Sequence, residues 1–74
     1  MSGDEGNLKK HSIVIAGHQT SVTLENIFWG KFKQLAQARG VSLSQLAAEI
    51  DSQRSTNLSS AIRVFVLKHS LKET

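Results

Sequence analysis

The segment from Ala61 to Leu67, AIRVFVL, constrains this chain more than any other, because every residue in it except Arg63 is apolar. A helix that is apolar all round must be buried all round. Its β-branched VFVL core also reads as a strand, but the Asn57 cap and the helix-compatible flanks favour a helix from about Asn57 to Leu71. Fully burying a Val, Ile, Leu or Phe is worth roughly 1.5–3 kcal/mol each. Leaving several of them wet would exceed the roughly 3–5 kcal/mol that a chain this short draws from its own core. The 74 residues include no Cys, so neither a disulfide nor a Cys-rich metal site can staple the fold. Two short helices and a hairpin do not wrap such a segment completely. The expectation is a second copy covering Ile62, Phe65 and Val66.

Upstream, the chain divides simply. Residues 1–10 form a small, polar, glycine-rich stretch ending in Lys9 and Lys10, expected to be a disordered, basic-ended tail. Residues 11–72 are expected to form one domain. Within it, SIVIA and QTSVTLE flank Gly17-His18 and read as a β-hairpin turning on that pair. The pairing this implies sets Ile15 opposite Thr20 and Ile13 opposite Val22. One face then holds Ile13, Ile15, Thr20, Val22 and Leu24, and the other Ser12, Val14, Ala16, Gln19, Ser21 and Thr23. The first is mostly apolar and the second small and polar, which is the sorting a half-buried ribbon requires.

A helix is predicted from about Asn26 to Arg39, with Phe28, Phe32, Leu35 and Ala36 along one stripe and Ile27 and Trp29 widening it. Gly40 ends it. Ser42 then caps a second helix, from Leu43 to about Asp51, with Leu43, Leu46, Ala47 and Ile50 inward. SQRST reads as a loop. The fold class is thus mainly α with a short N-terminal β element.

The order of these pieces carries a resemblance. SVTLE (Ser21–Glu25), the Phe28/Phe32/Leu35 stripe and RGVSLSQL (Arg39–Leu46) together resemble the ribbon-helix-helix DNA-binding family, the Arc-repressor class. AGHQTSVTLE and NLSSAIRVFVLKHSL look like a bacterial subgroup of it with no assigned role. The resemblance spans most of the chain from Gln19 onward. It implies an intertwined homodimer whose two chains each give one strand to a ribbon that enters the major groove of double-stranded DNA. Val22 and Leu24 would then face the dimer core with Ile62, Phe65 and Val66, and Gln19, Ser21 and Thr23 would face the bases. Gln suits adenine, and short hydroxyl side chains suit a ribbon lying close to the base edges. The resemblance also implies a phosphate at a helix N-terminus, here at Ser42 with Ser44, while Lys9 and Lys10 would neutralise further phosphates.

Three features depart from that pattern. SIVIAGH precedes the strand, so a hairpin in each chain would give a dimer four strands. The reading face has neither Arg nor Lys among Gln19, Ser21 and Thr23. NLSSAIRVFV resembles the family's second helix as well as GVSLSQL does, which leaves Asn57 and Ser59 as an alternative phosphate clamp.

Charge and composition set the outer limits. Nine Lys and Arg against six acids give a formal charge of +3 and a pI of about 9.7, compatible with a polyanionic partner but not evidence for one. No apolar run approaches the roughly 18 residues of a membrane span, and no signal-peptide pattern opens the chain, so a cytoplasmic protein without membrane partners is expected. His11, His18 and His69 lack ligand spacing, and neither a metal nor a cofactor is expected. Glu25 with Ser21 or His18 lacks the third orienting group that catalysis needs, so no enzyme is expected. A homodimeric protein-interaction module, a scaffold or antitoxin-like binder of a partner protein, is the alternative to a DNA-binding regulator.

Overall fold

The computed structural model describes residues 6–72, with side chains described up to Ser70. Strands β1 (Leu8–Ile15) and β2 (His18–Glu25) form an antiparallel hairpin, followed by helices α1 (Asn26–Arg39), α2 (Leu43–Gln53) and α3 (Leu58–Lys72). The inner face of the hairpin lies on the helices, and α3 packs against α1, α2 and β2.

The hairpin turns on Ala16-Gly17, one residue earlier than expected, with Ile15 opposite His18. Both turn residues have positive φ, 52° at Ala16 and 83° at Gly17, the signature of a type I′ turn. The expected register would have set Leu8 opposite Ile27, inside α1. The observed one lets all eight residues of each strand pair, ending at Leu8 opposite Glu25. Each partner moves by two positions, and with a strand period of two the two faces keep their residues. Ile13, Ile15, Val22 and Leu24 are buried, as that sorting required. β1 already begins at Leu8, so Lys9 and Lys10 belong to a strand and not to a tail. Residues 1–5 of the expected tail lie outside the described residues.

Local chemistry sets the helix ends. At the end of α1, Gly40 takes a left-handed conformation with φ 71°. Its N–H donates to Gln37 O and that of Val41 to Ala36 O, both at 3.1 Å, which is a Schellman closure. Two residues later Ser42 opens α2 with a complete capping box: its Oγ accepts from the Gln45 N–H at 3.0 Å, and its own N–H donates to Gln45 Oε1 at 3.3 Å. Asn57 caps α3, its Oδ1 accepting from the Ser60 N–H at 2.8 Å.

The core joins the four hairpin residues to Phe32, Leu35 and Ala36 of α1, Leu46, Ala47 and Ile50 of α2, and Ile62 and Val66 of α3. Phe28 and Trp29 pack on its edge, whereas Ile27 is exposed and lies off the stripe. The AIRVFVL segment is helical. Its covering differs from the expectation. Ile62 and Val66 are dry within a single chain, as are Val22 and Leu24, because the hairpin, α1 and α2 converge on one side of α3. Their burial requires no second copy. What stays wet on α3 is its outer ridge, with Val64 54% and Leu67 50% exposed and Phe65 half-buried.

The turn provides a test of this geometry. An L-residue with a side chain costs roughly 1–2 kcal/mol in the left-handed region, and Asn-Gly is the preferred type I′ pair. Ala16→Asn should therefore stabilise the chain by about 1 kcal/mol in urea unfolding, whereas a destabilised variant would mean that the turn is not type I′.

Candidate nucleic-acid interface

The hairpin presents its outer face to solvent. Lys10 lies opposite Thr23, Ser12 opposite Ser21 and Val14 opposite Gln19, and all six are exposed. The expected base-facing residues Gln19, Ser21 and Thr23 therefore share one surface, and β1 adds a second row beside them, with Ser12 and Val14 on the face that the sequence assigns them. Lys10 joins that surface, whereas Lys9 falls on the opposite parity, opposite Leu24. The face ends at Glu25, whose Oε1 accepts from Arg63 Nε at 3.1 Å. A hydrogen bond from its own backbone N–H, and then Arg63, hold this carboxyl below the usual carboxylate range.

The N-terminus of α3 adjoins this surface. The Thr23 N–H donates to Ser59 Oγ at 3.1 Å, which ties the edge of β2 to the first turn of α3. The hairpin turn shares a cleft with Asp51, Arg54 and Leu58, so α2 meets the turn with its C-terminal end. Ser42 is engaged in its capping box and Ser44 is half-buried. Of the two helix N-termini raised by the sequence, the one at Asn57 and Ser59 is hydrogen-bonded to the ribbon. The signal that could have found it was NLSS itself, an Asn cap followed by hydroxyls.

A cationic and aromatic cluster flanks the other end of the hairpin. His11 stacks on Trp29 with ring centroids 4.0 Å apart and planes within 6°, and Trp29 meets Phe32 at 6.0 Å. His11 Nε2 is buried without a hydrogen-bond partner among the described residues. Burial first, then Lys33 and Lys9, hold this imidazole below its ordinary value. The described residues contain no group of three or more His, Cys, Asp or Glu placed to hold a metal ion. None of their helices is long and apolar enough to cross a membrane.

The family model for the ribbon-helix-helix domain matches residues 8–70. The chain belongs to that family. Comparison with curated proteins gave no match. Among solved structures, an uncharacterized protein from Bordetella pertussis Tohama I is similar in fold, with a TM-score of 0.79 and 23% identity over 99% of this chain. The match spans 63% of that protein's length. Within this ribbon-helix-helix domain β1 and β2 pair inside the chain, as the hairpin read from sequence requires.

The His11 cluster sets a pH dependence. Because the folded-state pKa is lowered, the unfolded chain binds the proton more readily, and stability falls as pH drops through the ordinary imidazole value of about 6.5. Glu25 acts only lower, where its carboxyl protonates. A urea midpoint lower at about pH 5.5 than at about pH 7.5 is expected, with most of the difference abolished in His11→Phe, which keeps a ring on Trp29. An unchanged dependence in that variant would assign the titration to another group.

Proposed function

We propose that this protein is a bacterial, cytoplasmic, homodimeric regulator of transcription. In this reading it sets the outer face of its β-ribbon into the major groove of double-stranded DNA and a helix N-terminus on phosphate. One observation carries it: in a ribbon-helix-helix domain, the hairpin face turned away from the core is exposed over its length and holds hydrogen-bonding side chains at Gln19, Ser21 and Thr23. Gln can pair with adenine N6 and N7, and hydroxyls can donate or accept at any base. Lys9 and Lys10 supply cations for phosphates or base edges, and the amides at Asn57 and Ser59 supply the phosphate clamp in preference to Ser42 and Ser44.

The proposed dimer rests on the ridge of Val64, Leu67 and Phe65 rather than on the residues already dry in one chain. Pairing two hairpins through α3 would present them to successive half-sites, about 34–36 Å apart for one helical turn. A second reading, the protein-interaction module, draws on the open groove of about 420 Å³ between α2 and α3. Ile50, Ala61, Val64 and Phe65 line it, with Arg54 and Lys68 beside them.

Duplex titration at several salt concentrations separates the two. The regulator reading predicts log affinity falling linearly with log salt, by about 0.9 for each phosphate neutralised. Absence of binding at low salt, even to nonspecific duplex, would leave the interaction module. Ser21→Ala with Thr23→Ala should erase preference for selected over random duplex while sparing the salt slope. Val64→Asp with Leu67→Asp should give a folded monomer by light scattering, with weakened DNA binding. An unfolded variant would instead return those residues to a shared core.

A further inference from the structure

We propose that the ribbon which reads DNA is completed inside one chain, with β1 supplying Lys10, Ser12 and Val14 as a second row of base-contacting residues beside Gln19, Ser21 and Thr23. The inference rests on the DNA-binding reading and gives its readout to one hairpin rather than to strands from two chains.

Four observations converge on it. The hairpin is already a two-stranded antiparallel ribbon. Neighbouring strands lie about 4.8 Å apart, and a groove about 12 Å wide admits two of them. The edge of β2 away from β1 is partly taken, because the Thr23 N–H that a partner strand would need there donates to Ser59 Oγ. Ile15 and His18 flank a two-residue turn and form the hydrogen-bonded pair, so by alternation Val14–Gln19, Ser12–Ser21 and Lys10–Thr23 are the non-hydrogen-bonded pairs, whose side chains stand closest. The outer face therefore carries a compact double row.

Its chemistry also fits base edges. Lys10 is the one cation among the residues of that face, and Glu25, its one acid, is paired with Arg63. A Lys can donate to guanine O6 and N7. Val14 is 52% exposed, an apolar side chain on a polar face, and contact with a thymine methyl would cover it. β1 thus adds guanine and thymine chemistry to a strand that by itself offers only an amide and two hydroxyls.

The chain's lack of Cys makes a crosslink test clean. Leu8→Cys with Glu25→Cys places two thiols across the non-hydrogen-bonded pair at the open end of the hairpin, outside the base-contacting rows, within the Cα separation of about 4.4–6.8 Å that a disulfide spans. Upon oxidation at micromolar concentration the chain should run as a monomer on a denaturing, non-reducing gel. The oxidised and reduced forms should bind duplex within about twofold of each other. Disulfide-linked dimers, or binding that disappears on oxidation and returns on reduction, would overturn the proposal.

Selection from a randomised duplex pool gives the second arm. Lys10→Ala should lose preference at one base position, and Lys10→Arg should keep it, with affinity for the selected site falling about five- to hundredfold for Ala. Unchanged preference in Lys10→Ala overturns the role of β1. Failure of the unaltered chain to bind any duplex at low salt would remove the DNA reading and this proposal with it. Binding by the unaltered chain together with an interchain crosslink removes this proposal alone.

Discussion

The burial of Ile13, Ile15, Val22 and Leu24 against the helices is the constraint on which the rest of this structure depends. Strand side chains alternate, so anchoring four apolar residues on one face dictates which residues stand on the other. Sliding β2 by one residue would drive Ser21 and Thr23 into the core, where each hydroxyl would lack a partner, and would put Val22 and Leu24 in water. Core and exposed face are thus two sides of one register. Residues on the outer face need no interaction of their own to be positioned, because the inner face holds them.

The same logic reaches the helix ends. A Schellman closure at Gly40, one intervening residue and a capping box at Ser42 turn the chain from α1 into α2 within a very short span. That turn sends the C-terminal end of α2 to the hairpin turn. The helix runs on through Ser52 and Gln53 of the expected SQRST loop, and residues 54–57 then bring α3 back with its first turn at the edge of β2. Ser59 Oγ meeting the Thr23 N–H is the outcome. A strand-edge N–H and the first N–H groups of a helix both lack partners within their own element; here Ser59 Oγ satisfies the Thr23 N–H and Asn57 Oδ1 the Ser60 N–H, so side-chain oxygens close the junction of β2 with α3.

Much of this is legible in the sequence. The three helices, their caps at Ser42 and Asn57 and the two hairpin faces follow from period and cap chemistry, since these depend on neighbours a few residues away. The turn lies one residue from its expected place because Ala16-Gly17 and Gly17-His18 each offer a single glycine. Only the fit of the whole ladder against the start of α1 decides between them. The covering of α3 departs from expectation for a related reason. Counting apolar residues gives the surface that must be hidden, but whether one chain can hide it depends on how many elements converge on the same side. Ile62 and Val66 lie where they converge, and Val64 and Leu67 do not. The exposed face that carries Gln19, Ser21 and Thr23 is legible in the alternation, whereas the proximity of Ser59 is a tertiary fact that no local pattern encodes.

The distribution of arginine explains why the outer face of the hairpin lacks it. The chain has three arginines, and each is engaged within the fold. Arg63 pairs with Glu25 and lies 5.7 Å from the centroid of Phe28. Arg39 sits 5.0 Å from the centroid of Phe65 and within 3.2 Å of His69 Nδ1. Arg54 bonds Asp51 and the Thr56 carbonyl. A planar guanidinium makes bidentate and stacking contacts that a lysine cannot copy, so these positions tie α3 to β2 and to α1 and close the loop after α2. The cations at the hairpin are lysines, compact charges suited to phosphate. For a surface so composed, most of the affinity for a polyanion would be electrostatic and salt-sensitive. Discrimination between sequences would then fall to the amide, the hydroxyls and Lys10 on one narrow ribbon.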